Sequence, residues 1–170
     1  SLVGCGQLVE IPPAHVAKIN TSGGLQESII QPSRIRLPFA WPGTIPQSLI
    51  LCEASDQQIK EDLLLWMPKD QINLSVEVRG TLSVSPDERN LNKIFSRQVA
   101  KRIGGRVSII NLEEVYANYG VNVVREITRN ILSKYTISDV MSGREGIGTQ
   151  LFNAVNEALK ETPIQFSSFS

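Results

Sequence analysis

The sequence predicts an α+β fold in which a largely antiparallel N-terminal β-sheet is followed by grouped helices and a final strand. The first observation is that apolar and polar residues alternate over residues 72–84, with the apolar side chains at even positions, as in a strand with one face in water. The second is that apolar residues recur at helical spacing in the later half of the chain. Because strands precede helices instead of alternating with them, the helices are expected on one side of the sheet.

Short strands and turns are expected at the start of the chain. Residues 6–20 alternate around two prolines and lead into a turn at residues 21–24, as in a hairpin. Residues 26–37 predict two further extended pieces, divided at Pro32. Residues 38–46 contain three prolines, which remove hydrogen-bond donors from a sheet and restrict the preceding residue. An ordered loop is therefore expected there.

Two apolar runs, residues 48–52 and 59–67, are expected to be strands that pair with each other. The long strand of residues 72–84 follows them. Gly80 interrupts its apolar face, which predicts a bulge or a close approach of another group to the backbone.

Helices are expected from residue 85 onward. Residues 85–88 have the pattern of a capping box, with Ser85 as the N-cap, and the helix that follows should bury Leu91, Ile94 and Phe95. The next helical stripe is expected to be kinked or divided at Gly120.

A second capping box, at residues 142–145, predicts a helix whose buried stripe is Ile147, Leu151, Val155 and Leu159. Residues 164–170 then predict one more strand, which the end of the chain cuts short.

Composition excludes several classes of protein. The 170 residues carry 17 basic and 17 acidic side chains, so the formal net charge is zero and nucleic acid is not expected as a partner. Two cysteines and one histidine provide neither a disulfide framework nor a histidine-rich metal site. No cofactor is expected.

The titratable residues do not suggest an active site, so the chain is not expected to be an enzyme. His15 is the only imidazole and is interpreted as a structural or surface residue. Cys52 lies in an apolar run, where a buried thiol is unreactive. Glu61 and Asp62 are neighbours in a strand and should point to opposite faces.

Two features suggest contact with a membrane, although no apolar stretch is long enough to span one. The first is the start of the chain, SLVGC, which resembles the site at which bacterial lipoproteins are cut and acylated, with Cys5 as the lipid anchor. The alternative is a small residue near a flexible terminus. The second is the proline-rich loop, where Phe39 and Trp41 either insert at a membrane interface or pack back on the sheet.

Residues 101–106 form a basic run. This run is interpreted as a solvated helix end, and the alternative is a contact with acidic lipid.

An ordered set of motifs resembles the SPFH domain, also called the band 7 or prohibitin-homology domain, of stomatins, prohibitins and flotillins. These motifs are EIPPAHVA at residues 10–17, QPSRIRLPF at 31–39, PKDQINLSVEV at 68–78 and YTISDVMSGRE at 135–145. Ser33 and Gln71 depart from the pattern, because the family usually has glycine at both places. The resemblance covers residues 6–170, leaving residues 1–5 as an anchor remnant.

The resemblance implies a non-enzymatic, membrane-associated scaffold that assembles into rings or cages. Such assemblies organise membrane microdomains or enclose partner membrane proteins, including a membrane-anchored AAA protease in bacteria. It also implies a coiled coil after the domain. With a lipidated Cys5, the protein would belong to a bacterial cell envelope.

If the scaffold interpretation holds, four charged residues are candidates for contacts between subunits: Glu77, Arg79, Arg144 and Glu145. Two alternatives stay open. One is a soluble adaptor, or a structural subunit of a larger assembly such as a virion, that uses the same fold without lipid. The other is a small hydrolase with a site built across subunits.

Overall fold

The structure of the chain is a computed structural model that describes residues 6–85 and 87–170. The strands within these residues are β1 (Gln7–Glu10), β2 (His15–Thr21), β3 (Gly24–Leu25), β4 (Arg34–Leu37), β5 (Ser48–Glu53), β6 (Gln57–Met67), β7 (Ile72–Val84), β8 (Lys101–Gly104), β9 (Val107–Ile110) and β10 (Ile164–Phe169). The helices are α1 (Glu88–Arg97), α2 (Leu112–Tyr119), α3 (Val121–Leu132), α4 (Ile137–Ser142) and α5 (Arg144–Leu159).

The chain divides into two compact units, each built from two separate segments. Of the described residues, the first unit comprises residues 6–55 and Asp87–Glu114, and the second comprises residues 56–85 and Val115–Ser170. Each unit therefore depends on residues far apart in the sequence.

The first unit contains a five-stranded sheet of order β3-β2-β5-β9-β8 and a two-stranded sheet of β1 and β4. Only β5 and β9 pair in parallel among these described strands. Apolar side chains from both sheets meet in one buried cluster, since each strand turns its apolar face inward. The buried members of this cluster are Val9, Ile11, Ala17, Leu37, Leu49 and Leu51.

The second unit contains a three-stranded antiparallel sheet of order β10-β7-β6. Strands β6 and β7 form a long hairpin that pairs Gln57 with Leu82 at one end and Met67 with Ile72 at the other. Gln71 closes the hairpin turn at φ 57°, in the left-handed region that glycine enters most easily. The turn geometry is therefore the one that glycine would favour, although glutamine occupies it.

The predicted α+β class is confirmed, but the strands form three sheets instead of one. The predicted pairing of residues 48–52 with 59–67 is wrong. Strand β5 has β2 and β9 as its neighbours, and β6 pairs with β7. A tight turn joins β6 to β7, so these two strands pair with each other along their length.

The residues predicted as N-caps of α1 and α5, Ser85 and Ser142, are both wrong. Helix α1 has Asp87 as its N-cap, and the Asp87 carboxylate accepts a hydrogen bond from the Arg89 backbone N–H. Helix α5 follows Gly143, which has no side chain to cap it. Ser142 instead ends α4 and donates to the Ser138 carbonyl. The predicted buried residues of α1 and α5 are confirmed.

A capping box does occur at the start of α4, where Thr136 and Asp139 bond reciprocally to each other's backbone N–H. The hydrogen bonds from Thr136 to the carboxylate hold the pKa of Asp139 below its ordinary value. This arrangement fixes the chain entering α4.

The predicted helix end at residues 101–106 is wrong, because β8 and β9 form a hairpin there. Gly104 and Gly105 make its turn with positive φ angles of 154° and 51°. Every residue of β8 is exposed, so the sequence lacks the alternation by which a strand is recognised. The predicted break at Gly120 is confirmed, since α2 ends at Tyr119 and α3 begins at Val121.

Candidate functional site

The most distinctive surface of the first unit is the loop between β4 and β5, residues 38–47. It contains no strand or helix, as predicted, and a Pro–Gly turn orders it. Gly43 has φ 83°, as the third residue of a type II turn requires, and the Thr44 hydroxyl donates to the Trp41 carbonyl at 2.5 Å.

This loop, residues 38–47, is called the aromatic loop below. It exposes three large apolar side chains. Phe39 is 55% exposed, Trp41 63% and Ile45 73%. The rings of Phe39 and Trp41 meet edge to face, with centroids 5.5 Å apart, which is a favoured aromatic geometry. Of the two alternatives for these rings, the structure shows them directed to solvent rather than packed back on the sheet.

Arg106 fastens both ends of the aromatic loop. Its Nη1 donates to the Pro38 carbonyl at 2.8 Å, and its Nε donates to the Gln47 carbonyl at 2.5 Å. Hydrogen bonds from a charged donor are among the stronger ones in proteins. Sequence analysis missed this role, because the contact joins residues more than 50 positions apart and no local pattern marks it.

The other cations of the basic run also have partners inside the first unit. Lys101 forms an ion pair with Glu114 at 2.7 Å, and the hydrogen bond to Glu114 raises the pKa of Lys101. Arg102 donates to the Gly105 carbonyl and so braces the hairpin turn. Each basic side chain of residues 101–106 therefore has a partner within the first unit.

In the second unit, the outward face of β6 and β7 carries a row of charges. Glu77 accepts from Lys60 at 3.1 Å and also contacts Arg79. These hydrogen bonds raise the pKa of Lys60 and lower the pKa of Glu77. Glu77 and Arg79 therefore pair within one chain, and their predicted role between subunits stays a prediction.

Arg144 and Glu145 lie in the first turn of α5, and both are exposed. Arg144 stands at the edge of a groove of about 390 Å³ in the second unit. Elements β7, α4 and α5 supply most of its lining, whose apolar members include Leu74, Val76, Met141, Ile147 and Leu151.

The residues considered for catalysis have structural surroundings. His15 Nδ1 lies 2.9 Å from the Pro13 carbonyl. Cys52 is buried, and burial raises its thiol pKa to about 12, so the thiol stays protonated and unreactive near neutral pH. Glu61 is buried while Asp62 is exposed, which confirms that the two carboxylates point to opposite faces.

Cys5, the candidate lipid anchor, lies outside the described residues. Among residues 6–85 and 87–170, no group of three or more histidine, cysteine, aspartate or glutamate side chains is placed to hold a metal ion. No helix in that part of the chain is both long enough and apolar enough to cross a membrane.

Comparison with protein families places nearly the whole chain in one match. A family model described as "SPFH domain / Band 7 family" matches residues 9–170. Comparison with curated proteins gave no match.

Proposed function

This chain belongs to the SPFH domain / Band 7 family, and from that membership we propose that it is a membrane-associated oligomeric scaffold. It organises a membrane microdomain, or it encloses and regulates partner membrane proteins such as a protease. Members of the family are generally membrane-associated, typically non-enzymatic and typically oligomeric. The match confirms the resemblance that the sequence motifs indicate.

The observation that carries the membrane part of the proposal is the aromatic loop. Tryptophan and phenylalanine are favoured at the boundary between lipid and water. Here a Pro–Gly turn and the two hydrogen bonds of Arg106 hold them outward. Because the loop is already ordered in the free chain, binding costs little conformational entropy. Phe39, Trp41 and Ile45 together make the loop an insertion site for one leaflet of a bilayer.

Vesicle binding of loop variants tests this proposal. Trp41→Ser and Phe39→Ser should each weaken binding to vesicles of phosphatidylcholine and phosphatidylserine at least about tenfold, because burial of one aromatic ring contributes about 1.5–3 kcal/mol. Cosedimentation over a range of lipid concentrations measures the change.

Ile72→Ser is the matched control, since Ile72 is 53% exposed and Phe39 is 55% exposed. The control should bind vesicles like the wild-type chain. Equal binding by the wild-type chain and both loop variants would remove the aromatic loop from the proposal. A wild-type chain that binds no vesicles would favour the soluble adaptor or structural subunit instead.

A further inference from the structure

The groove in the second unit is an apolar surface that nothing in the described residues fills. Apolar side chains of β7, α4 and α5 line it, and its volume is about 390 Å³. Met141, on its wall, remains 68% exposed. An exposed apolar concavity of this kind marks a contact site for another molecule.

A second apolar surface lies on the outward face of β6. Leu64 is 68% exposed and Trp66 is 56% exposed. In the β6–β7 register Leu64 stands opposite Ser75, and Leu65 stands opposite Leu74. Side chains alternate along a strand, and residues directly opposite share a face. Leu64 and Trp66, the outer patch, therefore lie on the face opposite Leu74 and Val76. Ser75 and Glu77, which also line the groove, lie on the same face as the outer patch.

The charges beside the two surfaces are opposite. Arg144 at the edge of the groove has no hydrogen-bond or ion-pair partner among the described residues. Glu77 also lines the groove, but Lys60 and Arg79 already contact its carboxylate. Asp62, beside the outer patch, is exposed. Its ion pair with Lys60 is long, at 3.7 Å. The groove thus offers a free cation, and the outer patch offers an exposed carboxylate two residues from Leu64.

We propose that the outer patch of one copy docks in the groove of a second copy, with Trp66 in the groove and Asp62 at Arg144. This inference rests on the proposed function, because it names the contact by which the scaffold assembles. The occupant is a second copy because the chain itself carries a complementary apolar side chain and a complementary charge.

The geometry of the contact determines the kind of assembly. The two surfaces consist of different residues, so one copy uses its outer patch where its neighbour uses its groove. Such a head-to-tail contact repeats from copy to copy and produces a ring when the rotation closes.

Charge exchange tests the pairing. Arg144→Asp and Asp62→Arg should each weaken self-association of the whole chain at least about tenfold, because each variant places like charges together. The double variant should return to within about threefold of the wild-type value, since the pair is restored with its charges reversed. Sedimentation velocity over a range of protein concentrations, with and without vesicles, measures the association, and circular dichroism confirms that each variant folds.

Two further variants complete the comparison. Trp66→Ser should weaken association about as much as Arg144→Asp, because it removes the side chain that fills the groove. Arg129→Asp makes the same charge change at an exposed arginine that has no side-chain partner among the described residues, and it should associate normally.

Cross-linking locates the contact directly. In a background without the natural cysteines, Leu64→Cys chains, which keep Trp66, and Met141→Cys chains should cross-link through a short bismaleimide when mixed, whereas a Val99→Cys chain should not replace either. Normal assembly of Arg144→Asp and Trp66→Ser, or no rescue in the double variant, would overturn the inference. Because the aromatic-loop variants are measured by vesicle binding and these by association, either proposal can fail while the other stands.

Discussion

At the scale of single residues, Glu61 is a buried carboxylate in the second unit, and burial of a charge requires hydrogen-bond partners. It accepts from the Tyr116 hydroxyl at 2.9 Å and from Arg125 Nε at 3.1 Å. Burial, and then the hydrogen bond to Glu61, raises the pKa of Tyr116, so the phenol stays a donor. Tyr116→Phe should lower the free energy of unfolding by about 1–3 kcal/mol, because it leaves a buried acceptor with fewer partners. Urea unfolding measures the change.

Tyr119→Phe is the control for this prediction. Tyr119 lies on the same helix, and its hydroxyl has no hydrogen-bond partner among the described residues. Its loss of a hydroxyl should change the stability by less than about 0.5 kcal/mol. Equal effects of the two substitutions would mean that the bond to Glu61 contributes nothing specific.

Sequence analysis gave the direction of these side chains but not their partners. Alternation along β6 is enough to place Glu61 inward and Asp62 outward. The partners of Glu61 are 55 and 64 positions away, and no pattern within one sequence links such distant positions. The same limit hid the bonds from Arg106 to the aromatic loop.

At the scale of elements, Gly80 shows how β7 and β10 fit together. A Cβ atom on this residue would stand 2.9 Å from ring atoms of both Phe166 and Phe169, and these two rings stack at 4.6 Å. The close approach predicted at Gly80 is confirmed, and the partners are aromatic rings. Gly80→Ala should lower the free energy of unfolding by about 1–3 kcal/mol, because the buried Phe166 ring must move.

Gly146→Ala provides the opposite comparison. A Cβ at Gly146 meets nothing within 4 Å, and the residue lies in α5, where alanine is the better helix former. This variant should raise the free energy of unfolding by about 0.5–1 kcal/mol. Urea unfolding measures both glycine variants. Destabilisation by both substitutions would show that the crowding at Gly80 is not the cause of its effect.

Elements with a long period were predictable, and short exposed ones were not. Strand β7 and helix α5 each keep one apolar face over more than ten residues, so the period determines both their type and their buried side. Strand β8 has four residues, all of them exposed, and therefore has no apolar face to recognise. The helix caps were displaced by one or two residues, because serine, aspartate and glycine near a boundary all have capping propensity.

At the scale of the whole molecule, the class of fold followed from the order of the elements, but the grouping of strands into sheets did not. Strand β5 completes its sheet with β9, which lies more than 50 residues later, and β7 completes its sheet with β10 in the last segment of the chain. Local patterns specify which residues are strands. They leave open which strands pair, unless a tight turn joins them, as it does for β6 and β7.

The proposed surfaces belong to different units, because the aromatic loop lies in the first unit and the groove and the outer patch lie in the second. If copies assemble through the second unit, each assembly carries one aromatic loop for every copy. Each loop then contributes little, but simultaneous binding multiplies the apparent affinity, because every contact after the first is intramolecular.

Arg144→Asp should therefore bind vesicles at least about tenfold more weakly than the wild-type chain at equal protomer concentration, although its aromatic loop is intact. Trp41→Ser should show the reverse pattern, with normal association in solution and weak binding to vesicles. Cosedimentation at several protein concentrations separates the two, because the defect of Arg144→Asp should shrink below the concentration at which the wild-type chain associates. A defect that persists unchanged at low concentration would mean that Arg144 contacts lipid itself and does not act through assembly.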